Sequence, residues 1–323
     1  MHLNKKNTLQ NFIGNSEASD RLIHSLNKSN FTGAWLLRGP KGIGKAKLAE
    51  SIIRELLKIY NQSFLHPDLF VLRKDEEEKK FIAVDEVRKV SLFLSKSSIK
   101  GDNKCVFIDS LSEMNVFGHN SLLKVLEDFS INTSFFIIDH MNTYIPSTIT
   151  SRCKKINFKK LNIDEIKKLL NKSTVDENNY NAYSILANGS FGNIFEFEEN
   201  NALNIYEVLC DYLLTQNSDI TLLKKLFLKK NNNKVFLIIF YILTRILTNV
   251  LKYINSIEIN YINQLEERLI NYLSRKFNHD EIIYFLNVLY DRKKNVINLN
   301  LDAFTATYIT LLEIKKIEEK DEK

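Results

Sequence analysis

Short continuous apolar runs separated by amphipathic stretches fill the first half of the chain, and helical periodicity alone fills the second. Ala34-Trp35-Leu36-Leu37, Leu69-Phe70-Val71-Leu72, Cys105-Val106-Phe107-Ile108 and Phe135-Phe136-Ile137-Ile138 read as strands covered on both faces, with Ile156-Asn157-Phe158 as a last short one. Helical spacing joins Leu48, Ile52, Ile53, Leu56 and Leu57, then Val84, Val87, Val90, Leu92 and Leu94, then Leu122, Leu123, Leu126 and Phe129. The charged stretch from Asp75 to Lys80 reads as an exposed loop. Strand, crossover and strand in alternation predict a parallel sheet with helices on both sides. Beyond residue 160 a small helical segment, 163–199, carries the turn Asn188-Gly189-Ser190-Phe191-Gly192. Helical periods then cover 203–215, 219–229, 234–254, 258–276, 279–293 and 301–317, and the charged end from Lys315 to Lys323 is expected to fray. The predicted division is an α/β domain over 1–160, a helical lid over 161–200 and an all-helical domain over 201–323.

Composition narrows the classes. The 323 residues are 44% apolar and 26% charged, which is globular rather than disordered. Lysine and arginine exceed the acids by 45 to 39, a mild excess that permits a polyanionic partner without requiring one. Cys105, Cys153 and Cys210 lie far apart with no CxxC pair, so neither a disulfide framework nor zinc is expected. No apolar segment follows the N-terminal residues, and the apolar run Val235 to Leu243 is too short to span a bilayer. A cytoplasmic protein without a membrane partner is the expectation.

The chemistry concentrates in Gly39-Pro40-Lys41-Gly42-Ile43-Gly44-Lys45, which lies between a predicted strand and a predicted helix. That context turns a GxxxxGK pattern into a phosphate loop. Glycines let successive backbone N–H groups converge on one anion, and Lys45 reaches the terminal phosphates. ATP is the expected ligand, with Gly39, Gly42, Gly44 and Lys45 as binding residues. Asp109 closes the strand Val106-Phe107-Ile108 and would face Mg²⁺ through water. Two positions argue against turnover. Ala46 stands where a Ser or Thr hydroxyl would ligate the metal, and Ser110 follows Asp109 where a water-activating glutamate is expected. Binding without efficient hydrolysis is the reading.

Further motifs follow in order: Phe12-Ile13-Gly14, the phosphate loop, His66-Pro67-Asp68-Leu69, Ile82-Ala83-Val84-Asp85-Glu86-Val87-Arg88, Ile108-Asp109, Asn120-Ser121-Leu122-Leu123-Lys124-Val125-Leu126-Glu127, and Ser151-Arg152-Cys153. In this order they resemble the delta-prime family of bacterial DNA polymerase III clamp-loader subunits, relatives of the AAA+ ATPases. The resemblance implies an AAA+ P-loop domain, a helical lid and a C-terminal collar through which subunits join into a ring. It implies gamma/tau and delta subunits as partners, and through them the sliding clamp and primed DNA. It implies that Arg152 is an arginine finger entering a neighbouring subunit's nucleotide site. The departures are specific. The segment from Lys58 to Leu65 lacks the zinc-binding cysteines of many loader subunits, Asp128-Phe129 replaces a usual proline, and Asn193 stands where the lid's sensor arginine is expected.

Blander readings stand beside these. Arg152 by itself is a surface cation next to Lys154 and Lys155, and Lys159, Lys160, Lys167, Lys168 and Lys172 are the wet face of a helix as readily as a DNA contact. His66, Asp68, His119 and Cys153 read as packing and hydrogen-bonding residues rather than ligands. Two alternatives remain: an ATP-hydrolysing motor subunit of the gamma/tau type, and a stand-alone nucleotide-dependent DNA-binding switch.

Overall fold

The computed structural model describes residues 12–26, 32–74, 82–99, 103–129, 132–141, 144–215, 220–228 and 232–316. The loop expected over 75–80 and the tail beyond 316 lie outside the described residues. The chain forms two compact units: Met1–Lys172 with Asn188–Gly192, and Ser173–Ala187 with Asn193–Lys323.

The first unit is built on a parallel sheet of β1 (Gly33–Arg38), β2 (Leu69–Arg73), β3 (Lys104–Asp109), β4 (Thr133–Asp139) and β5 (Cys153–Asn157), in the order β2-β3-β4-β1-β5. Apolar runs fill the three central strands because both faces are covered: Leu36, Leu37, Val106, Phe107 and Phe135 through Ile138 have no exposed surface. Register is continuous, with Leu36 opposite Ile137 and Phe107 opposite Phe136. β5 begins at Cys153, earlier than the apolar signal, because it is an edge strand whose Lys154 and Lys155 face solvent.

Helices α1 (Ser16–Leu26), α2 (Lys45–Leu56), α3 (Val84–Ser95), α4 (Val116–Glu127), the short α5 (Ser147–Ser151) and α6 (Ile163–Leu170) complete this unit. The α2 helix buries Leu48, Ile52 and Ile53, as its period predicts, together with Ala49, whereas Leu56 is only half-buried. Asn115 caps α4 by accepting the Gly118 N–H at 2.9 Å. Neither α1 nor α5 was foreseen. Among the described side chains of α1 only Ala18 and Leu22 are buried apolar residues, too few to set a period, and α5 is little more than one turn.

The second unit is helical: α7 (Tyr180–Leu186), α8 (Phe191–Glu199, whose first two residues belong to the first unit), α9 (Ala202–Leu214), α10 (Ile220–Leu226), α11 (Asn232–Ile254), α12 (Gln264–Lys276), α13 (His279–Leu299) and α14 (Ala303–Lys316). By length and mean hydropathy (1.8 in its most apolar window) α11 could cross a membrane, yet 61% of that window is buried. It packs against α9, α12, α13 and α14 as the central helix of a bundle. The helix predicted from 258 starts only at Gln264. Asn263 accepts the Glu266 N–H at 3.0 Å and Glu266 Oε2 accepts the Ile262 N–H at 2.6 Å, which fixes the preceding residues outside the helix. Conversely α13 runs on to Leu299 and stops at Asn300, a left-handed residue at φ 52°.

One polar network is buried in this bundle. Glu266 has no exposed surface and binds Arg245 Nη2 (3.2 Å) and Asn249 Nδ2 (3.2 Å) across α11 and α12. Arg245 also donates to Asn260 O at 2.9 Å.

Candidate functional site

The phosphate loop leaves β1 at the carboxyl edge of the sheet, where parallel strands place their ligand sites. Gly39 N–H donates to Asp139 O (3.1 Å), which holds the start of the loop against β4. Gly42 at φ 78° and Gly44 at φ 97° curl it, and Gly44 caps α2 in the left-handed region. At the start of α2 the Leu48 N–H donates to Gly44 O (3.0 Å). Two further carbonyls of the loop are engaged: Lys41 O accepts Ser190 Oγ (2.8 Å) and Gly42 O accepts Gly192 N–H (2.8 Å). Carbonyls tied to the 188–192 turn leave the N–H groups of the curl and of the helix start for an anion, so the loop fits a phosphate chain. A Cβ on Gly42 would stand 2.2 Å from Ser190 Oγ. Gly42→Ala is therefore expected to destabilise the first unit by about 1–3 kcal/mol, measured by urea unfolding, through left-handed strain and this clash.

Lys45 is 3% exposed and turns its ammonium onto the loop's own carbonyls, Gly39 O at 2.6 Å and Pro40 O at 2.5 Å. Burial lowers its pKa to about 8, against the opposing pull of Asp139 and Asp109. Asp139 is fully buried, ion-paired with Arg38 Nε at 2.8 Å, and accepts the Met141 N–H at 2.7 Å. The next residue, His140, has a buried Nδ1 without a hydrogen-bond partner, and burial with the Lys45 and Lys41 charges pushes its pKa down to about 4. A neutral imidazole with an orphaned nitrogen beside the loop is a second observation that fits a missing polar ligand.

The metal side of the site does not fit in the same way. Ala46 offers no oxygen, and Asp109 Oδ2 faces Arg73 Nε at 3.3 Å. Arg73 Nη2 also binds Glu50 Oε1 of α2 at 3.1 Å. Ser110 is buried with its hydroxyl 2.8 Å from Ser112 Oγ. No group of three or more His, Cys, Asp or Glu is clustered among the described residues.

Arg152 is not part of this site. It caps α5 immediately before β5, at the amino edge of the sheet, where Cys153 pairs with Ala34. The phosphate loop begins at the other end of β1, roughly 16 Å away along the strand. Its Nη1 donates to Thr148 O (3.0 Å) and its Nη2 meets Glu127 Oε1 (2.6 Å). The two side chains are 39% and 48% exposed. Asn193 belongs to the second unit. His66 Nδ1 accepts the Asp68 N–H (3.2 Å), and His119 Nε2 pairs with Leu111 O (3.0 Å), both structural roles. Burial raises the Cys153 thiol to about 11, which leaves it unreactive.

Arg73 and His140 had no place in the reading of motifs. Each directly follows an apolar strand run or its terminal acid, and that position at the carboxyl edge was the available signal.

Residues 14–162 match the family described as DNA polymerase III, delta subunit. The DNA polymerase III subunit delta' of Pseudomonas aeruginosa is 37% identical over 135 residues, covering 37% of this chain and 41% of the relative. The DNA polymerase III subunit gamma of Buchnera aphidicola is 26% identical over 254 residues, covering 71% of this chain and 70% of the relative. The chain thus spans less than half the length of the delta' relatives it matches. Among solved structures, a DNA polymerase III gamma subunit-related protein from Thermotoga maritima superposes with a TM-score of 0.51 at 15% identity, covering 93% of this chain and 99% of the other.

Proposed function

We propose that this chain, delta-prime-like over residues 14–162 and built on the AAA+ P-loop fold, is a clamp-loader subunit that lends Arg152 to the nucleotide site of a neighbour. The partners are gamma/tau and delta subunits in a cytoplasmic replication complex, joined through residues 201–323 as a collar, and the assembly places the sliding clamp on primed DNA. The observation that carries the reading is the placement of Arg152. It is exposed, and it stands at the edge of the sheet opposite its own phosphate loop, so it cannot serve its own site. A guanidinium suits the task because it is always charged and offers paired planar donors to phosphoryl oxygens.

The chain's own site binds nucleotide and turns it over poorly. ATP, when bound, would supply a phosphate chain for the loop N–H groups and Lys45. Those residues hold and orient it, while Ala46 and Ser110 leave the metal and the attacking water without protein ligands. Mixing the chain with candidate loader subunits, then measuring assembly mass and DNA-dependent ATP consumption, tests the reading. Failure to enter an assembly would overturn it.

Binding should depend on pH through Lys45. Its pKa near 8 in the free chain rises when phosphates arrive, so binding above pH 8 must take up a proton. Below that value the ammonium is already charged and this group adds no dependence. Affinity for ATP is expected to be about tenfold weaker at pH 9 than at pH 7, measured by calorimetry. His140 stays neutral across that range.

The gamma-type relative matches a larger share of this chain than the delta-prime relatives do, which favours a motor subunit as the second reading. ATP hydrolysis by the lone chain, abolished by Lys45→Ala, would establish it.

A further inference from the structure

We propose that the phosphate loop takes its nucleoside triphosphate without a divalent metal, and that Arg73 is the positioning residue that makes this so by holding Asp109. The inference rests on the nucleotide reading above. A bound Mg²⁺ in a phosphate loop needs oxygen ligands in near-octahedral geometry, ordinarily the hydroxyl after the lysine, the acid at the end of the neighbouring strand, and the phosphates themselves. The first is absent at Ala46. The second is engaged: the Arg73 guanidinium lies with Nε 3.3 Å from Asp109 Oδ2, with Nη2 3.1 Å from Glu50 Oε1, and 5.8 Å from the centre of the buried Phe107 ring.

Three contacts from α2 and β3 hold this half-exposed side chain beside Asp109, and its charge offsets the carboxylate that a metal would otherwise need to neutralise. Without that offset Asp109 would oppose the incoming phosphates, because it lies near enough to Lys45 to act on its charge. With it, the phosphate chain meets Lys45, Lys41 and the N–H groups of the loop, and no further positive charge is required. A divalent ion brought to the same place would meet the cations of Lys45, Lys41 and Arg73 and one occupied acid. The arrangement therefore replaces a removable ion with a covalently attached one.

The test uses the full chain and an ATP analogue with a fluorophore on the ribose, titrated by anisotropy with Mg²⁺ or with EDTA. The expected result is that the wild-type dissociation constants in the two conditions agree within about twofold. In Arg73→Ala, binding is expected to weaken about tenfold in EDTA and to recover when Mg²⁺ is added, because Asp109 is released to take the metal. Arg73→Lys, which keeps the charge, should remain metal-independent. Wild-type binding that falls tenfold or more in EDTA would overturn the proposal while leaving the nucleotide reading intact. Arg73→Ala indistinguishable from wild type in both conditions would also overturn it. No binding in either condition would remove both readings at once.

Discussion

Replacing Arg152 with alanine is expected to lower the DNA-dependent ATP turnover of a reconstituted clamp loader while the chain still folds and still assembles. The structural argument for the second half of that statement is local. Arg152 is a half-exposed cap residue whose ion pair with Glu127 is equally exposed, and pairs of that kind contribute only about 0.2–1 kcal/mol. Its removal leaves no buried group without a partner, since Thr148 O also faces solvent-exposed surroundings. The first half follows from chemistry. A guanidinium supplied in trans to a phosphoryl group raises rates on the order of 10³–10⁵ in GTPases, and the site that depends on Arg152 should lose an effect of that kind. The weak tie to Glu127 matters here, because a carboxylate held at the surface is readily exchanged for a phosphate. Arg152→Lys should recover little, because a point charge cannot reproduce the planar paired donors. Steady-state turnover of loaders rebuilt with each variant decides the matter, and a rate equal to wild type for Arg152→Ala would remove the proposed role.

Replacing Glu266 with alanine destabilises the helical unit by about 3–5 kcal/mol. Glu266 is fully buried, and the substitution strands three groups at once: the Arg245 guanidinium, the Asn249 amide and the Ile262 N–H. Arg245 keeps Asn260 O but loses its counter-charge. Losing one partner of a buried pair leaves an uncompensated charge, which costs far more than the pair contributes when intact. A double replacement, Arg245→Met with Glu266→Leu, should therefore cost much less than Glu266→Ala alone. Urea unfolding followed by far-ultraviolet circular dichroism measures both. The single tryptophan, Trp35 on β1, gives a separate fluorescence signal for the α/β unit. An unchanged dichroism midpoint for Glu266→Ala would show that the network is dispensable.

How far the sequence carried depended on what each element buries. The central strands were legible because their two covered faces exclude polar residues, so Val106 to Ile108 and Phe135 to Ile138 stand out as runs. The edge strand β5 shows an apolar signal only from Ile156 because Lys154 and Lys155 interrupt it. Helix α1 buries too few apolar side chains to show a period, and α12 starts later than its periodicity because the Asn263 cap, with Glu266 three residues on, sets its first turn. At the site, the loop glycines and Lys45 were legible as a motif because the backbone curl demands them. The Arg73–Asp109 pair was not, since it joins residues far apart in the chain through a sheet register that only the fold supplies. The Glu127 partner of Arg152 was equally hidden, because the packing of α4 against α5 brings the two together.

Since every strand of the sheet points the same way, its two rims are chemically unlike, and a molecule with a donor on one rim and a receptor on the other has a head and a tail. If Arg152 serves a neighbour, contacts made this way are heterologous rather than two-fold, and successive protomers must all face in one sense. Such a row has distinguishable ends.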